Sequence, residues 1–279
     1  MIITQLIGGL GNQMFQYAVA RRLSAMRGVT FKMDIRIFDN YPKSCVPRYY
    51  ELGNFNVKEV FASQDEIDDI IKKNKIKGED LGREKGELTF NPMVLDYTDD
   101  IYFRGYWQSE KYFSDVRNDL LQEFSLKNAL SKDALQCLND IASSLNSISL
   151  HIRRGDYVED KTTNQFHGVC DLEYYYHAIE ILRRKFGAVK LYVFSDDIAW
   201  VKENFVVEEN TMYVSELVKN NVEELFLMSR CTHHIIANST FSWWGAWLGK
   251  AENKIVIAPK RWFKKDVAID IIPDDWMKI

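Results

Sequence analysis

Five short apolar runs, near residues 147–152, 189–195, 212–214, 234–237 and 255–258, alternate with helix-length segments through the second half of the chain. Runs this short and this apolar fit strands buried on both faces, as in a parallel sheet covered by helices. The segments between them, 171–186, about 197–204, 222–230 and 241–249, are predicted helices. The pattern therefore constrains this half to a doubly wound α/β domain. Ligands of such sheets bind beyond the carboxyl ends of the strands. Here those ends are polar: Arg153-Arg154, then Ser195-Asp196-Asp197, then Asn238-Ser239-Thr240-Phe241-Ser242. If the strands run parallel, the three clusters face one crevice.

The first half opens on the same rhythm. A predicted strand over 2–7 runs into Gly8-Gly9-Leu10-Gly11-Asn12-Gln13, a helix to about 27, a stop at Gly28 and a strand over 29–33. The turn is not a dinucleotide fingerprint, because Met14 stands where a third glycine is needed, and no Gly-Lys-Ser/Thr follows as in a Walker loop. It lets backbone approach a ligand at a helix N-terminus, with Asn12 and Gln13 as hydrogen-bonding side chains. The alternative is a plain tight turn with Asn12 as the helix cap. Residues 36–60 read as irregular, 64–77 as a polar helix, and 72–87 as a mobile loop rich in Lys, Glu and Gly. A strand over 101–108 ends in an aromatic and amide cluster with Trp107 and Gln108. Helices follow over 110–124 and 131–145, the latter capped by Ser131. The expected boundary falls just before the strand at 147, giving domains 1–145 and 146–279.

Two adjacent arginines at the end of an interior strand are costly without an anionic partner. Guanidinium is always charged, and its planar fork fits phosphate or carboxylate. The readings are a phosphorylated ligand or an ion-pair cluster. Arginines can neutralise a diphosphate, while Asn238, Ser239, Thr240 and Ser242 sit where a helix N-terminus donates to phosphate oxygens. Asp196 and Asp197 can accept from ribose hydroxyls or from the N–H groups of a base such as guanine, or can simply cap the next helix. Trp243, Trp244 and Trp247 share one helix turn and read as core, with stacking on a sugar or base as the other use.

No D-x-D triplet or ligand cage implies a metal, and His233 and His234 point to opposite faces of a strand. The four cysteines are scattered without a C-x-x-C pair, which fits a reducing cytoplasm. A net charge of -4 argues against nucleic acid as a partner. The N-terminus carries no apolar signal segment, and no run is long enough to span a membrane. Lys260, Arg261, Lys264 and Lys265 suit a membrane surface or an anionic ligand.

Three motifs, Gly8-Gly-Leu-Gly-Asn-Gln-Met-Phe-Gln-Tyr-Ala18, His151-Ile-Arg-Arg-Gly-Asp-Tyr157 and Asn238-Ser-Thr-Phe-Ser-Trp-Trp-Gly-Ala-Trp247, resemble the bacterial α-1,2-fucosyltransferases of glycosyltransferase family eleven. Gly105-Tyr-Trp-Gln-Ser-Glu-Lys-Tyr-Phe113 and His167-Gly168 followed by Tyr174-Tyr175 are similar to that family too. The resemblance implies a GT-B type α/β fold, two Rossmann-like domains facing a central cleft. It implies an acceptor-binding N-terminal domain and a C-terminal domain that binds GDP-fucose. The expected reaction is inverting, metal-independent transfer to the 2-hydroxyl of a β-galactoside. No cofactor is expected, and the implied location is cytoplasmic, with peripheral attachment to the inner membrane face. Arg153 is expected to grip the diphosphate, with His151, Arg154, Asp196, Asp197, Asn238, Ser239, Thr240 and Ser242 also in the donor site. Asn12 is expected by the reaction centre, and Asp156 is the nearest carboxylate to serve as base, or else holds the arginines. Gly9, Gly11, Gln13, Trp107, Gln108, His167 and Trp243 are expected at the acceptor or cleft.

Overall fold

The structure is a computed structural model that describes all residues except 43–45, 77–81, 85–87, 98–99 and 266, and only the backbone at 74–76 and 162. The chain divides into two units. The first comprises Met1–Asn128 with Ala268–Pro273, and the second Ala129–Val267 with Asp274–Ile279.

In the first unit β1 (Ile2–Gln5), α1 (Leu10–Arg27), β2 (Phe31–Asp34), α2 (Gln64–Ile76), β3 (Ile101–Phe103) and α3 (Arg117–Glu123) follow in order. The sheet order is β2-β1-β3, with both pairings parallel. Met14, Phe15, Tyr17 and Ala18 of α1 are wholly buried, and Ile67 and Ile70 of α2 pack on Ile3 and Tyr102. Gly28 ends α1 in the left-handed region at φ 64, where a side chain would strain the backbone. A charged cluster ties α1 to α3. Glu123 accepts from Tyr17 Oη at 2.7 Å and from Arg21 Nε at 2.7 Å, and Arg21 also reaches Asp119 at 3.0 Å. The segment Ala268–Pro273 joins this unit through Asp270, which accepts from the Phe90 N–H at 2.8 Å and from Lys111 Nζ at 2.7 Å.

The second unit contains α4 (Lys132–Ser143), β4 (Ser147–Ile152), α5 (Gly155–Glu159), α6 (Lys161–Phe166), α7 (Leu172–Phe186), β5 (Lys190–Ser195), α8 (Ile198–Asn204), β6 (Asn210–Tyr213), α9 (Val214–Leu217), α10 (Asn221–Met228), β7 (His233–Ile235), α11 (Thr240–Leu248), β8 (Val256–Ala258) and β9 (Met277–Lys278). Its sheet order is β6-β5-β4-β7-β8-β9, and every pairing is parallel. The pleat sorts the core by alternation. Leu191 and Val193 of β5 face Tyr175, Ile179 and Leu182 of α7, while Tyr192 and Phe194 face Ala134, Cys137 and Ile141 of α4. The chain lays strands to one side of β4 and then, from β7, to the other. The order reverses between β4 and β7, which opens a crevice beyond their carboxyl ends.

The α/β class holds, and the chain divides into two units. The boundary moves, because α4 packs beneath β5, so the second unit begins at Ala129 rather than at 146. The strand expected over 101–108 stops at Phe103, and Trp107 takes φ 53. The helix expected over 110–124 is two 3-10 turns, interrupted at Phe113 (φ -152, ψ 10), followed by α3. Part of the loop expected over 72–87 is the end of α2, and much of the rest lies outside the described residues, as does Cys45. Asn12 is not a cap: Gly9 stands at that position, and its carbonyl accepts from the Asn12 and Gln13 amides.

Candidate functional site

β4 delivers Arg153 to the switch point of the second unit's sheet. Its Nη2 donates to Asp156 Oδ1 at 2.5 Å and its Nη1 pairs with Asp196 Oδ2 at 2.9 Å. Its guanidinium carbon lies 5.2 Å from the centre of the Tyr157 ring. Its Nε is buried and has no hydrogen-bond partner among the described residues. The Arg154 backbone N–H donates to Asp196 Oδ1 at 2.9 Å, and its Nε donates to Asp197 Oδ2 at 3.2 Å. Its guanidinium lies 3.4 Å from the centre of the Trp200 ring, a stacking that lysine would not reproduce. Asp197 also caps α8, accepting from the Trp200 N–H at 3.3 Å. Two arginines and three carboxylates thus form one network at the ends of β4 and β5.

Burial works against the Arg153 charge, but Asp196 and Asp156 outweigh it and raise its pKa. His151 lies at the end of β4. Burial, with Arg153 adding to it, pushes its pKa down to about 3, so the ring is neutral, and its Nδ1 has no partner among the described residues. His167 is pushed down to about 4, first by burial, with Asp156 and Arg153 opposing each other. Its ring stacks on Tyr157 at 4.6 Å.

Gly155 is required by the network. A Cβ there would overlap the Asp196 oxygen that pairs with Arg153. Gly155→Ala is therefore expected to push Asp196 aside. Losing one charge-assisted hydrogen bond, about 1.4 kcal/mol or more, corresponds to roughly a tenfold loss of turnover. Steady-state assays of the folded variant would check this; unchanged turnover would show that the pair is dispensable.

The neutral histidines also set an acid limit. His234 is held well below its ordinary value, first by burial and then by Lys254 and His233. As pH falls below about 6.5 the unfolded chain binds protons that folded His151 and His234 refuse. Their contribution is complete above that value and is lost as pH falls toward their folded values. Each histidine removes about 1.4 kcal/mol of stability per pH unit in that window. Urea midpoints should drop between pH 7 and pH 5, and equal midpoints would contradict this.

At the head of α11, Ser239 caps the helix by accepting from the Phe241 N–H at 3.3 Å, and Ser242 Oγ donates to the Ser239 carbonyl at 3.3 Å. Thr240, beside them, keeps partial exposure. Asn238 departs from expectation. Its amide nitrogen donates to the carbonyls of His167 at 3.0 Å and Trp262 at 3.1 Å, and its Oδ1 accepts from Cys170 Sγ at 3.6 Å. A buried side chain so committed fastens the 167–168 turn. Trp243 is fully buried among Trp244, Trp247 and Trp276 and is core, not cleft.

The first unit assembles its own cluster at the ends of β1 and β3. Gln108 Nε2 donates to Asn12 Oδ1 at 3.0 Å. The turn carrying Gln108 is fixed by Glu84, whose oxygens accept from the Tyr106 N–H at 2.7 Å and the Trp107 N–H at 3.2 Å. Trp107 itself is buried edge-on against Phe103 and Tyr112, so it is a wedge in the core rather than a cleft surface. Gln13 is likewise spent internally. It donates to the Tyr49 carbonyl at 2.7 Å and accepts from the Glu51 N–H at 3.0 Å, fastening that segment to α1. Gly9 lies against the Arg48 side chain, and Gly11 is buried in the first turn of α1.

Three contributors escaped sequence reasoning: Tyr157 beneath Arg153, Trp200 beneath Arg154, and Glu84. Trp200 stands three residues after Asp197, a spacing that had a signal only once Asp197 was seen to cap α8.

The sequence model of glycosyl transferase family 11 matches residues 1–279. The chain belongs to glycosyl transferase family 11. Among its relatives in the family, an alpha-1,2-colitosyltransferase of Escherichia coli is 35% identical over 100% of this chain and 99% of its own length. The O-antigen biosynthesis glycosyltransferase WbnK of Escherichia coli is 31% identical over 98% of this chain and 99% of its own. A galactoside alpha-(1,2)-fucosyltransferase 2 of Gorilla gorilla gorilla is 25% identical over 53% of this chain and 45% of its own. The family 11 chain is thus a glycosyltransferase, and its arginine network stands at the sheet edge where an α/β enzyme binds its ligand. Among its described residues no group of three or more His, Cys, Asp or Glu is arranged to hold a metal ion. None of its described helices is long and apolar enough to cross a membrane.

Proposed function

We propose that the chain transfers L-fucose from GDP-β-L-fucose to the 2-hydroxyl of a terminal β-galactoside, with inversion and without a metal, in the synthesis of a surface polysaccharide or oligosaccharide. The observation that carries the reading is Arg153: a guanidinium at the switch point, with a buried N–H that has no acceptor among the described residues. An orphaned charged donor is costly to bury, and a diphosphate oxygen would satisfy it. In this reading the acceptor hydroxyl attacks the anomeric carbon as GDP leaves from the opposite face. Arg153 takes up the charge that develops on the departing diphosphate. Thr240 and the head of α11 add donors to the phosphates. Asp156, paired with Arg153 at 2.5 Å, acts as an orienting group rather than as the base.

The second unit would hold the donor, and the first would bind the acceptor near Asn12 and Gln108. Exposed Lys260, Arg261, Lys264 and Lys265 would favour attachment to an anionic membrane face on the cytoplasmic side. The relatives' names support an α-1,2 linkage and a polysaccharide pathway. They also favour a second reading, since one relative transfers colitose.

The test is incubation with GDP-fucose or a colitosyl donor and a panel of β-galactosides, with and without EDTA. Fucosylated product whose yield EDTA leaves unchanged is expected. Loss of product with EDTA would overturn the metal-free mechanism, and transfer from the colitosyl donor alone would overturn the donor.

A further inference from the structure

Tyr49 is 71% exposed on a segment that is otherwise pinned. The wholly buried side chain of Gln13 holds that segment from α1: Nε2 donates to the Tyr49 carbonyl at 2.7 Å, and Oε1 accepts from the Glu51 N–H at 3.0 Å. Tyr50, between them, is anchored by its hydroxyl, which donates to Glu59 at 3.1 Å, and by edge-on packing against Phe61 at 5.6 Å. The Tyr49 ring has no hydrogen-bond or ring partner among the described residues. Single exposed apolar side chains are ordinary. Tyr49 differs from them in that its backbone is fixed while its ring is left out.

The same Gln13 nitrogen also donates to the Gly8 carbonyl at 3.0 Å, so Tyr49 and Gly8 meet on one amide. Asn12 lies over Gly8: a Cβ there would fall 2.5 Å from Asn12 Nδ2. Asn12 Oδ1 in turn accepts from Gln108 Nε2 at 3.0 Å. Arg48, the residue before Tyr49, lies along Gly9. The exposed ring is therefore rooted at the rim of the Asn12–Gln108 cluster, within one unit.

We propose that Tyr49 is an acceptor-binding residue: its ring takes the apolar face of the galactoside, and the Asn12–Gln108 pair takes hydroxyls at the sugar's edge. The proposal rests on the acceptor reading above and names the contact that would carry it. A β-galactopyranoside joins two chemistries in one ring. Its axial 4-hydroxyl leaves the C–H groups at C3, C4 and C5 together on one face, while hydroxyls fill the rim. An aromatic ring covers such a face without stripping a polar group of water, and side-chain amides both donate to and accept from hydroxyls. Rigidity matters because one aromatic contact is too weak to order a loop as well. Gln13 has already ordered this one on folding.

The test is acceptor kinetics with a methyl β-galactoside at saturating GDP-fucose. Tyr49→Ala is expected to raise the acceptor KM about tenfold, the upper range for one aromatic contact, with donor KM unmoved and kcat at saturating acceptor within about twofold of wild type. That split marks a contact made equally in the ground and transition states, which a distorted fold would not give. Tyr49→Phe keeps the ring and should keep the wild-type KM. Saturation-transfer NMR of the same acceptor should show the protons at C3, C4 and C5 most strongly saturated by wild type and no longer so by Tyr49→Ala. An unchanged acceptor KM in Tyr49→Ala, or a Tyr49→Phe protein as weak as the alanine variant, would overturn the proposal. Wild-type protein that fucosylates no β-galactoside sinks the acceptor reading instead.

Discussion

Arg153→Ala is expected to lower turnover with GDP-fucose by about three orders of magnitude. Removing one preorganised donor to a developing oxyanion costs about 10²- to 10³-fold, and a guanidinium adds a full charge to that donor. The loss should fall on kcat more than on donor KM, because the charge on the diphosphate grows as the glycosidic bond breaks. Arg153→Lys separates charge from shape. It keeps the charge but not the fork that spans Asp156 and Asp196, so its activity should fall between wild type and alanine. The alanine variant also leaves those two carboxylates facing each other, so a melting curve must accompany the kinetics. A folded Arg153→Ala protein within tenfold of wild type would remove this residue from the reaction.

Glu123→Ala should cost the first unit more stability than any surface change. Glu123 is 9% exposed and is the shared partner of Arg21, itself 8% exposed, and of Tyr17, which is wholly buried. Truncation leaves a largely buried guanidinium with only the half-exposed Asp119 as its charge partner, and a phenol without its acceptor. Breaking one partner of a buried pair typically costs about 3 kcal/mol or more. For a unit of this size that is a fall of roughly 10 °C in melting temperature. A shift under two degrees by calorimetry would show that the cluster contributes little, as exposed ion pairs do. Donor affinity of the folded variant should be unchanged, since the cluster belongs wholly to the other unit.

The second unit was legible because its strands are buried on both faces. Continuous apolar runs leave little ambiguity of period, and the expected strand at 147–152 is the observed one. The polar ends of those runs located Arg153, Asp196 and Thr240 for the same reason. Legibility failed where tertiary contacts override local pattern. Nothing near Asn238 says that its amide serves His167 and Trp262, distant in sequence. Trp107 follows an aromatic strand in pattern, yet Glu84 captures two successive amides and turns the chain. The short helices α5 and α6 carry too few residues for a period to register, and β9 is two residues that pair only because β8 is already in place.

The last dozen residues have a genetic consequence. Ala268–Pro273 supplies Asp270 to Phe90 and Lys111 in one unit, and the following six residues supply the edge strand β9 and, just after it, the Ile279 N–H that donates to the Ala258 carbonyl in the other. A premature stop codon near residue 267 would therefore damage both units at once. Nor can a contiguous gene fragment ending at Asn128 encode the first unit in full, because one of its pieces is translated only after most of the second.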